Sequence, residues 1–165
     1  MHERILAYLR SSAKQFADQT APALDPERGR TKTGQLWAYA RDDRPLGVSD
    51  PPAVAYVHAP NGKASQPIAH LHGFKSVLQV DGYSGYRALA EKGDVSIAFC
   101  WSHVRRRFGE LTTASVAPIA GEALQSIAAL CNREGEERRA ARQRRTRPLL
   151  EELEPWLRDK QALIS

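Results

Sequence analysis

The sequence predicts an α/β fold, in which a mixed sheet of five strands has flanking helices and is followed by a helical C-terminal extension. Three strand-like segments follow one another near the N-terminus, and this indicates an antiparallel meander. Two more strand-like segments then alternate with helical ones, a pattern typical of parallel strands joined through helices. Beyond Cys100 the apolar residues recur at helical spacing to the end of the chain.

The first half of the chain predicts a short helix followed by the meander. The helix is expected at residues 5–9, and the strands at residues 15–20, 35–40 and 53–58, where apolar and aromatic residues cluster. A turn-rich, basic stretch at residues 25–34 separates the first two strands. We therefore predict a hairpin with a long basic tip.

The second half predicts alternation and then helices alone. Helices are expected at residues 66–74 and 86–92, and strands at residues 77–80 and 95–99. The helical stripes that follow are formed by Val104, Phe108 and Leu111, and then by Ile119, Leu124, Ile127 and Leu130. The predicted division of the chain is a core of residues 1–112 and a helical extension of residues 113–165.

Composition narrows the class of protein. The chain has 165 residues, 42% of them hydrophobic, which is enough for one sizeable core. The formal net charge is +5, with 24 Lys and Arg against 19 Asp and Glu, so the positive excess is local and favours nucleic acid as a partner. There is no apolar run of about 18 residues and no signal-peptide layout, so we expect a cytoplasmic protein without membrane contact. Cys100 and Cys131 are too few for a disulfide framework.

Two aspartates lie in or directly after predicted strands, and this predicts that both are at one edge of the sheet. Asp81 follows the apolar run of residues 77–80 and precedes Gly82, whereas Asp18 lies in the first predicted strand. A lone aspartate at a strand end is most often a turn former or a helix cap. Two carboxylates that meet repel each other, and a divalent cation or a shared proton offsets that repulsion. Adjacent parallel strands would therefore make Asp18 and Asp81 a metal site, as phosphoryl transfer on nucleic acid requires.

Basic residues mark candidate phosphate contacts. Arg30 and Lys32 lie in the predicted hairpin tip, where they either grip DNA or keep the tip soluble. A second group begins the helix after the fifth strand and faces either a DNA backbone or solvent; it consists of His103, Arg105, Arg106 and Arg107. The run at residues 138–147 is the densest positive charge. Such a run is usually a solvated helix face, but its surplus of arginine favours phosphate contact. Cys100 and His103 make half of a metal site at best.

Seven strings stand in one order along nearly the whole chain: ADQT at 17–20, LDP at 24–26, GRTKTGQLW at 29–37, RDDRP at 41–45, DPP at 50–52, LQVDGY at 78–83 and CWSHVRRRF at 100–108. Together they resemble the central catalytic region of insertion-sequence-66 family transposases. Long strings in a fixed order are far more specific than any one of them.

The resemblance implies a ribonuclease-H-like core in which two aspartates and a glutamate hold Mg²⁺ or Mn²⁺ for DNA strand cleavage and transfer. Asp18 matches the first acid and Asp81 the second, while Gln19 stands where the family usually carries another acidic residue. The motif with the third acid lies beyond Ser165, so the chain is expected to be a fragment that is inactive alone. Surface-helix roles are expected for the other candidate acids, which are Glu110, Glu122, Glu151 and Glu152.

Two functional hypotheses follow from the resemblance. In the first, the chain is a transposase catalytic region, competent when a missing segment or another polypeptide completes it. In the second, it is a non-catalytic remnant that binds DNA or a transposase subunit. The expected partners are DNA at transposon ends and other transposase subunits. Trp37, Trp101 and Tyr83 are expected to be core or rim aromatics rather than base-stacking platforms.

Overall fold

The computed structural model describes residues 1–27, 30–91, 94–114, 116–131 and 146–164. It divides into two compact units, Met1–Cys100 and Trp101–Ser165. The first unit holds a five-stranded mixed sheet with helices, and the second holds helices in its described residues. The predicted α/β class with a helical C-terminal part is confirmed. The division after residue 112 stays a prediction.

The sheet has the strand order β3-β2-β1-β4-β5. Its first three strands form the antiparallel meander, and β4 and β5 add to β1 in parallel. Their bounds are Lys14–Glu27 for β1, Arg30–Arg41 for β2, Ala53–Ala59 for β3, Val77–Val80 for β4 and Ser96–Phe99 for β5. The sheet is thus mixed because a meander is followed by alternating strands and helices, as predicted.

The β1–β2 ladder is longer than the sequence predicts. Pairing continues from Ala23 opposite Gly34 to Glu27 opposite Arg30, through residues expected to form a long hairpin tip. The register shifts between Thr20 and Ala23, an interval that contains Pro22. Proline has no backbone N–H to donate, so the ladder is interrupted there and resumes beyond it. Turn-forming residues therefore lie within a ladder here.

Short helices connect the strands of the first unit. They are α1 at His2–Arg10, a 3-10 turn at Arg44–Leu46, α2 at Ser65–His70, a 3-10 turn at Ser84–Tyr86 and α3 at Arg87–Ala90. The helix expected at residues 66–74 ends at His70, and Gly73 just beyond it has a φ of 84°. This left-handed conformation favours glycine and cannot continue a right-handed helix.

The core lies on one face of the sheet, which we call the core face. Trp37 and Leu78 are fully buried, and Tyr39 is nearly so. Leu9 of α1 and Leu89 of α3 belong to the same cluster, so helices cover this face. The prediction that Trp37 is a core aromatic is confirmed.

The other face of the sheet, the open face, carries exposed apolar side chains. Tyr56 is 55% exposed and Val54 47% exposed, and both lie on the edge strand β3. Ala38 pairs with Asp18 on one side and with Tyr56 on the other. Directly paired residues share a face, so Asp18 lies on the open face with Tyr56. The ring of His2 contacts the backbone oxygen of Tyr56 at 3.2 Å.

A buried guanidinium group ties α1 to the chain that follows β2. Arg41 is 4% exposed, and its Nη2 donates to Asp43 and to Asp50, the latter at 2.8 Å. Its Nη1 donates to the backbone oxygen of Tyr8 at 3.0 Å, and the guanidinium carbon lies 4.2 Å from the centre of the Tyr8 ring. One side chain therefore satisfies groups from three segments.

In its described residues the second unit contains α4 at Trp101–Ala114, α5 at Pro118–Cys131 and α6 at Arg147–Ile164. Ala123 and Ile127 of α5 and Leu153 of α6 are buried. Residues 138–145 of the basic run lie outside the described residues, as do the side chain of Cys131 and the acids at 134, 136 and 137. Across the described part of the chain, no helix is long and apolar enough to cross a membrane.

We predict that Arg41→Ala lowers the free energy of unfolding by about 3 kcal/mol, because it leaves the buried Asp43 carboxylate without its partner. Urea unfolding followed by circular dichroism measures this. Arg44→Ala is the matched control, since Arg44 pairs with Asp42 at the surface and an exposed pair contributes little. Equal losses in the two variants would contradict the structural role of the buried network.

A second prediction concerns His70, whose Nδ1 lies 2.9 Å from the Tyr39 hydroxyl. Burial lowers the pKa of His70, so the folded protein favours the neutral ring. Below the ordinary histidine value of about 6.5 the unfolded chain binds a proton that the folded state resists, so stability falls as the pH drops. Urea midpoints from about pH 7.5 to about pH 5.5 should fall more in the wild type than in His70→Gln. Parallel curves would refute the assignment.

Candidate active site

The register of β1 against β4 brings the two candidate acids together. Ala17 pairs with Val80 at the end of this parallel ladder, and Asp18 and Asp81 are the next residues on each strand. Neighbouring strands lie roughly 4.8 Å apart, so the two backbones are adjacent here. Asp18 is exposed and Asp81 is half-buried. The two residues that the sequence singled out therefore meet where β4 ends.

Asp81 also shapes the turn that follows it. Its Oδ1 accepts a hydrogen bond from the backbone N–H of Tyr83 at 3.0 Å. Gly82 between them has a φ of 110°, a conformation that side chains with a β-carbon rarely adopt. Asp81 is thus a turn former, as an aspartate at a strand end most often is. The same bond fixes the orientation of its carboxylate.

Tyr83 packs into an aromatic cluster beside the acids. Its ring centre lies 5.6 Å from that of Trp37 and 5.7 Å from that of Tyr86, both in edge-on geometry. Its hydroxyl donates to the backbone oxygen of Gly62. A β-carbon on Gly85 would lie 2.2 Å from the Tyr83 ring, so glycine is required for the ring to lie this close. The expectation that Tyr83 is a core or rim aromatic agrees with this packing.

The Tyr86 hydroxyl is buried and has no hydrogen-bond partner among the described residues. Burial raises the pKa of Tyr86 far above its usual range, and the charges of Tyr39, Asp81 and Asp18 raise it further. The group therefore stays protonated and remains a donor. Both candidate acids therefore lie within electrostatic range of this buried hydroxyl.

The two acids fit one divalent cation. Carboxylate oxygens are the ligands that Mg²⁺ prefers, and it is commonly held by one or two carboxylates with water and substrate phosphate in the other positions. No group of three or more His, Cys, Asp or Glu residues is placed to hold a metal in the described ranges.

The other candidate acids lie on helices of the second unit. Glu110 pairs with Arg107 at 3.5 Å, and Glu151 pairs with Arg147 at 3.0 Å, each within one helix. Glu122 lies on α5 and Glu152 on α6, where Glu152 lines a groove between these helices. Glu110 and Glu151 thus have the surface-helix pairing that the sequence favours for them.

The candidate phosphate contacts lie on two elements. The α4 helix carries the half-buried His103 and three exposed arginines, Arg105, Arg106 and Arg107. On β2, Arg30 and Lys32 occupy register positions opposite Glu27 and Asp25. Arg107 already has an acidic partner in Glu110. Contact of these residues with DNA stays a prediction.

The sequence reasoning missed residues that contact Gln19, Thr20 and Tyr83, the chain neighbours of the two acids. Gln35 donates through Nε2 to Gln19 Oε1 at 3.2 Å and to the backbone oxygen of Thr20 at 3.0 Å. Gly62 lies close to Gln35 and receives the Tyr83 hydroxyl. The sequence marks residues 60–62 only as a turn. No signal in it indicated that this turn accepts a hydrogen bond from Tyr83.

Comparison with known proteins defines the class. The family described as Transposase IS66 family matches residues 1–165, which is the whole chain. The chain therefore belongs to the IS66 family of transposases, and the resemblance in its sequence strings is confirmed. The mixed five-stranded sheet is consistent with the ribonuclease-H-like core that the resemblance implies.

Three relatives come from Sinorhizobium fredii (strain NBRC 101917 / NGR234). Uncharacterized protein y4jD is 37% identical and covers 100% of the chain, which spans 35% of that relative. Uncharacterized protein y4qI is 41% identical over 81% of the chain and 26% of its own length. Uncharacterized protein y4hP is 30% identical over 98% of the chain and 33% of its own length. The chain thus spans about a third of the length of these relatives. No solved structure matches it.

We predict that Gly85→Ala displaces the Tyr83 ring and breaks its bond to Gly62, because the added methyl group overlaps the ring. The expected loss of stability is about 1–3 kcal/mol, as for overpacking in a core. Urea unfolding measures it, with Gly109→Ala as the matched control. That helical glycine has open space around it, so alanine there should stabilise by roughly 0.5–1 kcal/mol. Unchanged stability of Gly85→Ala would show that the ring does not need this contact.

Proposed function

We propose that this chain is the central catalytic region of a DNA transposase, in which Asp18 and Asp81 hold Mg²⁺ or Mn²⁺ at the phosphate to be cleaved. The observation that carries the proposal is the parallel register of β1 and β4, which makes the two acids neighbours. Membership of the IS66 family supports DNA strand cleavage and transfer as the reaction.

The roles of the residues follow from their positions. The bound cation supplies positive charge that stabilises the phosphate during transfer. Asp81 is oriented for binding by the Tyr83 N–H, and Asp18 is held by its pairing with Ala38 of β2, directly after the end of the β1–β4 ladder. We assign phosphate contacts to Arg30 and Lys32 on β2 and to a group on α4 made of His103, Arg105, Arg106 and Arg107. The proposed partners are DNA at transposon ends and other transposase subunits.

We expect the chain alone not to cleave DNA. Two carboxylates hold one ion weakly, and a second ion needs a third acidic ligand, so cleavage requires more than the pair Asp18 and Asp81. The alternative function is a non-catalytic remnant that binds DNA or a transposase subunit. The exposed Arg105 and Arg106 on α4 support this alternative, because DNA binding through them needs no metal.

The test is Mn²⁺ binding measured by calorimetry on the wild type, Asp18→Asn and Asp81→Asn. Each variant should bind Mn²⁺ at least about tenfold more weakly, because a charged ligand is lost. Neither should lose stability, since the change relieves repulsion between the carboxylates. In Asp81→Asn the amide oxygen can still accept the Tyr83 N–H.

The matched control is Asp94→Asn. Asp94 is exposed and pairs with Lys75 at 3.6 Å. It precedes β5, so it lies near the N-terminal ends of β4 and β5, whereas Asp81 follows the C-terminal end of β4. The Asp94→Asn variant should bind Mn²⁺ as the wild type does. If Asp18→Asn behaves like this control, the proposed metal site is wrong. A wild type that binds no Mn²⁺ but retains DNA in a salt-sensitive manner identifies the remnant.

A further inference from the structure

We infer that Tyr83 is a positioning residue that joins Asp81 to the loop of residues 60–63 and so presents Lys63 to a DNA phosphate beside the cleavage site. The inference rests on the proposed function, because it assigns a further DNA contact to the same site. Its chemistry is simple: an ammonium group binds a phosphate as a point charge. What the structure adds is the reason why this lysine is held in place.

Tyr83 makes one hydrogen bond through its backbone and another through its side chain. Its backbone N–H donates to Asp81 Oδ1 at 3.0 Å, and its hydroxyl donates to the backbone oxygen of Gly62. The ring between these two groups is rigid and is packed against Trp37 and Tyr86. A fixed spacer therefore sets the distance between the Asp81 carboxylate and the loop.

The loop also lies against the core face of the sheet, where Gln19 pairs with the buried Trp37. A β-carbon on Gly62 would lie 3.4 Å from Gln35 Oε1 and 4.0 Å from Gln19 Oε1, which is ordinary contact. Gln19 follows Asp18 directly and accepts a hydrogen bond from Gln35. The bonds of Tyr83 thus link the loop to Asp81, and the glutamine pair holds the loop against β1 and β2.

A hydrogen bond inside the loop fixes the backbone of Lys63. Asn61 Oδ1 accepts the Lys63 N–H at 3.0 Å and lies 3.5 Å from Gln66 Nε2. The Lys63 side chain is exposed, and none of the ion pairs among the described residues involves it. An anchored backbone with an unpaired cation is suited to an anionic ligand rather than to an internal contact.

The positive charge of Lys63 counteracts electrostatic repulsion at the site. Two adjacent carboxylates repel an approaching phosphate, and a cation on the rim offsets this repulsion for the phosphates next to the reacting one. Holding the DNA backbone in register also contributes to the rate, because a misplacement of about 1 Å is costly in phosphoryl transfer. The competing view is that Tyr83 only packs and Lys63 is only solvated.

The experiment measures binding of a short fluorescein-labelled DNA duplex by anisotropy over a series of KCl concentrations. Lys63→Ala should reduce the slope of log K against log salt by about 0.9, the amount for one phosphate contact, and weaken binding about fivefold to tenfold at 0.1 M salt. Lys63→Arg should restore both. Tyr83→Phe keeps the ring and should show the same loss as Lys63→Ala, while the double variant should lose nothing more.

Lys75→Ala is the matched control. Lys75 is an exposed lysine that pairs with Asp94. It precedes β4, so it lies at the opposite end of that strand from Asp81. Its removal should leave the slope unchanged. A Lys63→Ala slope equal to that of the control, or a wild type that does not bind the duplex, overturns the inference. Additive losses in the double variant overturn the role of Tyr83.

The duplex assay and the Mn²⁺ titration test the two proposals independently of each other. Binding to DNA without metal does not depend on Asp18 or Asp81 as ligands, so Lys63 variants report only on the phosphate contact. Conversely, Lys63→Ala should leave Mn²⁺ affinity unchanged, because an exposed lysine is not a metal ligand. A negative result in one assay therefore does not decide the other.

Discussion

The candidate site depends on the parallel pairing of β1 with β4. These strands are far apart in the chain, and their register alone makes Asp18 and Asp81 neighbours. Because side chains alternate along a strand, a slip of one residue would turn one acid to the other face. The buried residues Ala17, Leu78 and Val80 secure the register, since each would be exposed by such a slip. The packing of the core thus determines the geometry of the acids.

The surroundings of Asp81 explain how one residue serves two purposes. Its carboxylate holds the turn, and the turn carries the tyrosine whose ring packs on Trp37. Gly82 and Gly85 permit this path, one through its positive φ and the other through the space it leaves for the ring. A carboxylate held in this way is pre-oriented, which reduces the ordering needed when a cation binds.

Much of this arrangement was predictable, and the reasons for the rest are physical. The apolar run at Val77–Val80 and the aromatic run at residues 35–40 predicted strands because their period matches a pleated sheet. The extension of β1 to Glu27 was not predictable, since Pro22 and Pro26 are typical of turns. The contact of the 60–63 loop with Tyr83 depends on tertiary distance, which local patterns do not encode. The family strings, by contrast, identified both acids directly.

The edge strand β3 has a practical consequence for handling the protein. Its outer backbone groups and its exposed Val54 and Tyr56 form a template for pairing with another chain. The ring of His2 covers one of these carbonyl groups, that of Tyr56. A purification tag placed before Met1 would compete for that position, so we expect C-terminal tags to yield less aggregated preparations.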